Sequence, residues 1–452
     1  MTKERIRLLL GITMPIALQN LITFAVNLMD TVMLGQLGEM PLAASSLANQ
    51  VFFVVTLVVY GIGGGASVLT SQSWGRNDVR SIYKIMSYTY RLAAGFALII
   101  AVLAVGEPSL LMSLFTNDQN VIRQGASYLR IVGWSYLFYT ATSITLCILR
   151  SVKIVKIATA LSVVCLFVNV GLNYVLIFGR LGMPRLGIAG AAIATLIARI
   201  VEFTVLMLYL WRKEQTLHIW EYFQNRIGKI CKKSREPSVY DGGESLWTKF
   251  YTTSIPVIMN ELLWAVGEAA VSMILGRMGT EVVSANAIYA NISELSGVVV
   301  AGMYSAACVI IGNVIGAGDL EELKIYKKLF FRVSVIVGVL GMLIMLTCRG
   351  FVIDFYKVTD VTKMYAKQIM LIGAFVELCR SIQCMNAMGI LRGAGAVKFA
   401  MFNDILFLWL FTIPAGCVAA LVLHWPVAAV YVVLKLDQFL KIFTSGWKVK
   451  RI

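Results

Sequence analysis

Charge is what this chain has least of. Of its 452 residues only 14% are Asp, Glu, Lys or Arg, whereas 59% are hydrophobic. A soluble chain of this length needs a far larger charged fraction to coat its surface, so a water-soluble globular class is excluded. Histidine is almost absent: His218 and His424 are the only two, each in or beside a loop. An intramembrane metalloenzyme or acyltransferase built on histidine therefore lacks its ligands or its base, and no serine elbow or metal constellation replaces them. The eight cysteines, Cys147, Cys165, Cys231, Cys308, Cys348, Cys379, Cys384 and Cys417, contain no CxxC pair and mostly sit in apolar runs. That pattern reads as small packing residues, not a metal site or a disulfide framework. Short alternating segments are missing too, which excludes a membrane barrel. No cleavable signal is expected, because the apolar segment after Met1–Arg7 is span-length and holds Pro15 and Asp30.

What is present is a succession of apolar runs of about 20 residues or more, each long enough to cross a bilayer as a helix. The reading is an all-α polytopic membrane protein with twelve transmembrane helices, arranged as six plus six. The arrangement follows from an internal repeat. A shift of about 241 positions carries Pro15 onto Pro256, Gly35 onto Gly276, Gly38 onto Gly279, Gly61 onto Gly302, Gly75 onto Gly316 and Asp78 onto Asp319. Two homologous halves of an apolar chain point to a transporter, since facing repeats commonly frame a binding site. The expected boundaries are an N-lobe over 1–211, a basic linker over 212–250 and a C-lobe over 251–452.

The formal net charge is +16, but its distribution argues against a nucleic-acid patch. Roughly 28 of the 40 Lys/Arg fall on one side of the proposed topology and about 9 on the other, the positive-inside bias. Both termini are then cytoplasmic. The linker from Arg212 to Lys249 carries eight Lys/Arg with Trp220, Tyr222 and Phe223. It reads as an amphipathic segment lying against the inner leaflet, and no phosphate-loop pattern occurs in it.

Seven carboxylates fall within spans: Asp30, Glu202, Glu261, Glu268, Glu294, Glu377 and Asp404. A charge near the bilayer centre costs at least about 2.5–3.5 kcal/mol on insertion scales, so each requires a partner or a function. Glu202 follows Arg199 by three positions, and Arg380 follows Glu377 by three. Both are helical neighbour pairs, and a structural ion pair is the better reading of the first. Asp30 has only Asn27 and Thr31 nearby. Glu261 and Glu268, two turns apart, share one face of span seven with no basic residue between them, so at least one should line a wet cavity. Asp404 follows Asn403, and Glu294 is open to either reading. A carboxylate whose affinity is balanced between burial and a nearby cation can hold a proton or a sodium ion and release it when solvent access changes. Pro15 and Pro256 occupy matching places in the first span of each half, either as packing kinks or as the pivot of a moving helix.

Several runs resemble the multidrug and toxic compound extrusion (MATE) family: DTVMLGQLGE from Asp30, QSWGRND from Gln72, and LNYVLIFG from Leu172 followed by GMPRLGIAGAAIAT. The second half agrees through PVIMNELLW from Pro256, GRMGTE from Gly276 and LRGAG from Leu391. The resemblance implies two six-helix lobes in a V around a central cavity, exporting organic cations against an inward flow of Na+ or H+ across a bacterial inner membrane. It implies a coupling or substrate role for Asp30 with Asn169 and Asn173 of span five, for Glu261 and for Asp404. Glu268 joins them from the residue reading, with Glu294 and Glu377 behind. No cofactor, no metal and no obligate protein partner is expected beyond the coupling ion, the organic cation and the bilayer. The chain departs from the family where SVKIVKIA follows Arg150 in place of a glycine-containing turn, and at Ala396, where the family has aspartate. The alternative reading, a flippase of the wider superfamily moving a lipid-linked substrate, calls for an arginine-rich cavity, whereas the membrane charges of this chain are mostly acidic.

Overall fold

The computed structural model describes residues 2–221, 245–356 and 358–452. Among them the chain is helical throughout, with no strand. Ten helices are long and apolar enough to cross a membrane, from Lys3–Gly35 to Val397–Val422. An eleventh crossing comes from Gln119–Val132 and Ser135–Ser151, which pass together but bend by 51° at their break. The sequence places this span at Tyr128–Leu149. The helix instead begins at Gln119, where Asp118 caps it by accepting from the Asn120 N–H at 2.8 Å. Arg123, Gln124 and Arg130 made its first limb too polar to read as membrane. The last helix, Val427–Arg451, is long enough but carries Lys435, Asp437 and Lys441, and falls outside the apolar set.

Two compact units emerge. One holds Leu18–Ser73 and Asn77–Ser254; the other holds Met1–Ala17, Trp74–Arg76 and Ile255–Ile452. The division thus runs through the first span of each half, Thr2–Gly35 and Leu246–Arg277, within three residues of Pro15 and Pro256. Both prolines lie inside unbroken helices. The linker assigned to 212–250 lies mostly outside the described residues. Before it, the Glu214 carboxylate accepts from the backbone N–H groups of Thr216, Leu217 and Ile219 at 2.8, 2.6 and 2.9 Å.

The repeat is written in the turns. Asp78 and Asp319, matched by the shift, both cap a helix: each carboxylate accepts from a backbone N–H three residues on, Ser81 at 3.0 Å and Glu322 at 2.8 Å. The residue before each cap is left-handed, Asn77 at φ 58° and Gly318 at φ 76°. Asn and Gly are the residues that tolerate this region at least cost. The loops after span four and span ten match as well. Lys153 N–H donates to Arg150 and Ile154 N–H to Leu149, and in the second half Gly395 donates to Arg392 and Ala396 to Leu391, all four at 2.9 Å. The left-handed residue there is Gly395 at φ 83° in one half and Lys153 at φ 68° in the other. The SVKIVKIA departure therefore keeps the turn and places a side chain where glycine fits better.

Close packing accounts for other repeated glycines. A Cβ on Gly75 would lie 2.0 Å from the Asn313 carbonyl oxygen, and one on Gly302 would lie 2.9 Å from that of Thr13. In the unit holding the second half, the core gathers Val271, Ile288, Tyr289, Met370, Tyr431 and Leu434, so the final helix buries one face, while Val432, Phe439, Phe443 and Trp447 on it stay exposed. The other unit packs Leu69 and Ile85 against Leu246 and Phe250.

Lys153→Gly is expected to raise the unfolding temperature of the purified protein. Releasing a left-handed L-residue is worth about 1–2 kcal/mol, offset by roughly 0.5–1 kcal/mol of added chain entropy. The reciprocal Gly395→Lys should lower it. Thermal unfolding that moves the opposite way for either variant would contradict the turn assignment.

Candidate functional site

Asp30 stands near the end of span one, half-buried. Asn173 Nδ2 donates to its carboxylate and, at 3.1 Å, to the amide oxygen of Asn169 one turn back. Asn169 in turn donates to Thr195 Oγ1 of span six, Ile188–Arg212, at 3.5 Å. Asn169 and Asn173 are four apart on span five, Lys156–Phe178, so both amides project from one face. The structure thus brings together the three N-half residues named from the sequence. Among the described residues Asp30 makes no ion pair, and the amide oxygen of the fully buried Asn173 has no partner. Arg199 acts electrostatically on Asp30 without pairing with it. It is already committed: it pairs with Glu202 at 2.8 Å and lies 5.0 Å from the Tyr139 ring centre. The neighbour pair read from spacing forms as a salt bridge.

The second half treats its acids differently. Glu377, 1% exposed, pairs with Arg380 at 2.8 Å and accepts from Ser293 Oγ. Glu261 meets Arg392 at 2.9 Å, and Glu268 meets Lys435 at 3.5 Å. Asp404 takes Lys441 at 3.3 Å, with Asn260 Nδ2 and Gln383 Nε2 each donating at 3.2 Å. Lys441 also pairs with Asp437 at 2.9 Å. Glu294 is exposed and makes no ion pair among the described residues. So the face of span seven that bears Glu261 and Glu268 has no basic residue of its own, yet both acids gain a cation from another helix.

Six contributors were missed from the sequence: Asn260, Gln383, Arg392, Lys435, Asp437 and Lys441. Arg392 lies in the LRGAG run and is the second-half counterpart, in its turn, of Arg150, whose Nη2 donates to Gln19 Oε1 at 3.3 Å. Each half thus joins this arginine to its first span, through a neutral amide at Gln19 and through a carboxylate at Glu261, one position further along than Gln19 would fall in the repeat. Asp437 and Lys441 did leave a signal, a carboxylate four residues before a lysine inside an otherwise apolar helix. Around this group the helices widen into π turns at Met385–Leu391 and Leu406–Thr412, immediately after Gln383 and Asp404. Such turns often mark functional positions in a helix. A polar depression of about 550 Å³ lined by Arg349, Asp354, Asp360, Lys363 and Lys367 takes in none of these acids.

The family model for MatE matches residues 15–175 and 256–418, one segment in each half, opening at Pro15 and at Pro256. The chain belongs to the MatE family. Among its relatives are probable multidrug resistance proteins: NorM of Rhizobium meliloti, 26% identical over 90% of this chain and 85% of its own length, and YoeA of Bacillus subtilis, 23% identical over 89% and 84%. The fold of this MatE protein matches VcmN of Vibrio cholerae, a MATE transporter in its bent form, with a TM-score of 0.84 at 17% identity, covering 98% of this chain and 96% of that one. It also matches a MOP superfamily transporter of Pyrococcus furiosus, TM-score 0.82 at 16% identity, over 98% and 95%. This MatE protein is therefore a multi-pass membrane protein of the MATE fold.

The Glu377–Arg380 pair gives a direct stability prediction. Arg380→Met strands a buried carboxylate and should cost about 3–5 kcal/mol, whereas Glu377→Gln combined with Arg380→Met should recover most of it. Unfolding of the three proteins in detergent decides this: a double variant no better than the single one would refute mutual neutralisation.

Proposed function

We propose that this MatE protein is a cation-coupled antiporter, not an enzyme, exporting organic cations by alternating access against an inward flow of Na+ or H+ across the cell membrane. The observation that carries the reading is the state of Asp30. It is a half-buried membrane carboxylate held by the Asn173 amide, with no ion pair among the described residues. The other buried or part-buried span carboxylates have acquired a protein cation, as Glu202, Glu261, Glu268 and Glu377 have. Leaving Asp30 without one makes room for an exogenous cation, and a proton, a sodium ion or a cationic drug would exclude one another there. Relatives named as probable multidrug resistance proteins support the substrate class.

Glu261 and Glu268 enter this reading with resident counter-cations, so they take part in exchange only when Arg392 or Lys435 moves away. That separates the two halves experimentally. In energised cells loaded with a fluorescent organic cation, wild type should export the dye, and a sodium pulse or an acid pulse should name the driving ion. Asp30→Asn should bring efflux to background while the purified protein keeps its unfolding temperature. Glu261→Gln should lower that temperature, because it leaves the Arg392 guanidinium buried and unpaired. Efflux by Asp30→Asn at the wild-type rate would remove Asp30 from the coupling step.

A further inference from the structure

Basic residues gather against the charge bias at the turn between the ninth and tenth spans. Span nine, Leu320–Phe351, runs into a 3-10 turn, Val352–Phe355, and span ten starts at Asp360. The polar depression of about 550 Å³ opens here, lined by Arg349, Lys363 and Lys367 together with Asp354 and Asp360. On the topology read from the sequence, this turn lies on the side away from the termini, which holds only about 9 of the 40 Lys/Arg. Three of those few meet in one depression. Lysine and arginine on that side work against correct insertion, so their gathering calls for a use.

The cluster does not satisfy itself. Lys363 lies 3.9 Å from Asp354, a loose pair whose carboxylate is mostly exposed. Among the described residues Arg349 and Lys367 make no ion pair, and the Arg349 Nε is buried without a hydrogen-bond partner. Three bases against two carboxylates leave one positive charge over.

The surroundings indicate what supplies the anion. Met364 lines the depression and is itself exposed, and Leu371 and Phe375, seven and eleven residues on, continue its face along span ten. Span nine, which packs Gly338 close to Leu378 of span ten, exposes Leu340, Leu343 and Ile344. Exposed apolar side chains on spanning helices are where acyl chains run. A phosphate in the depression, with its chains along this surface, is a phospholipid in its ordinary position; a free anion leaves the apolar part unused. Charge then selects the head. One excess positive charge matches a head of net charge about −1, and two carboxylates can accept from hydroxyls. A phosphoglycerol head offers both, whereas ethanolamine and choline heads carry no net charge.

We propose that Arg349, Lys363 and Lys367 bind the phosphate of a phosphatidylglycerol molecule in the outer leaflet, with Asp354 and Asp360 accepting from its glycerol hydroxyls. The unpartnered Arg349 Nε is one of the donors, in a charge-assisted hydrogen bond. The site takes in neither Asp30 nor the paired acids of the spans, and it does not depend on the antiport reading.

The test is lipid-linked stability of the purified full-length protein in a mild detergent. Phosphatidylglycerol, phosphatidylethanolamine and phosphatidylcholine are titrated in turn, then inorganic phosphate and glycerol 3-phosphate at constant ionic strength. A ligand that binds the folded state alone raises the unfolding temperature with its concentration. Phosphatidylglycerol should do so saturably, and the other four should not. Arg349→Gln combined with Lys367→Gln should weaken the apparent affinity about tenfold or more, since each base near an anionic head is worth about fivefold. Arg349→Lys with Lys367→Arg should keep most of the response. Lys324→Gln with Lys328→Gln removes the same charge at the other end of span nine and should leave the affinity at its wild-type value. A wild-type response in the Arg349 and Lys367 glutamine variant overturns the proposal, as does an equal loss in the Lys324 and Lys328 variant. Equal stabilisation by phosphatidylethanolamine also overturns it, and that comparison on wild type decides the matter if a variant fails to fold. Stabilisation reproduced by inorganic phosphate or glycerol 3-phosphate assigns the depression to a free anion and overturns the lipid.

Discussion

An ionised group inside a membrane protein must be matched by opposite charge or by a full set of hydrogen-bond donors, and most of this molecule's polar architecture follows from that requirement. Salt bridges within or between spans meet it for Glu202, Glu261, Glu268 and Glu377, and two more share Lys441 between Asp404 and Asp437. The final helix tolerates Lys435, Asp437 and Lys441 because its charged side is turned onto its own unit, not toward lipid. Apolar packing then supplies the rest, through glycines close enough to backbone carbonyls that any side chain would clash.

Against this background the incompletely matched positions stand out. Asp30 is met by the Asn173 amide, and the pair Asp404 and Asp437 shares one lysine, with Asn260 and Gln383 donating to Asp404. In both places the neighbouring asparagine keeps an unused acceptor, Asn173 Oδ1 and Asn260 Oδ1. The two halves thus reach the same chemical situation from different residues. Span one supplies the acid in the first half, while the helices over Val397–Val422 and Val427–Arg451 supply it in the second. Divergence of the two halves has moved the acids while keeping the turns, the caps and the base on the last span.

The conserved geometry of the turns explains why the halves could diverge elsewhere. Left-handed residues at Asn77 and Gly318, and at Lys153 and Gly395, fix where each helix stops and restarts. Spans of fixed length and direction place residues at set depths. Which of those residues carry charge is then free to change, provided each new acid finds a partner. Arg150 with Gln19, and Arg392 with Glu261, illustrate it: the matched arginines each reach the first span of their half, but through a neutral partner in one and an ionic partner one position further along in the other.

The sequence by itself determined everything whose physics is local or periodic. Apolar run length marked the spans, and the shift of about 241 positions marked two halves, with its Asp78 and Asp319 turning out to be helix caps. Spacing of three named Arg199–Glu202 and Glu377–Arg380, because helical neighbours lie on one face whatever the tertiary fold. The family resemblance named Asp30, Asn169 and Asn173. Only the tertiary structure decided the partners of Glu261, Glu268 and Asp404. Arg392, Lys435 and Lys441 lie far away along the chain, and whether they reach an acid depends on the rotation and depth of packed helices. Those are set by hundreds of weak side-chain contacts at once, and no short stretch of sequence carries them.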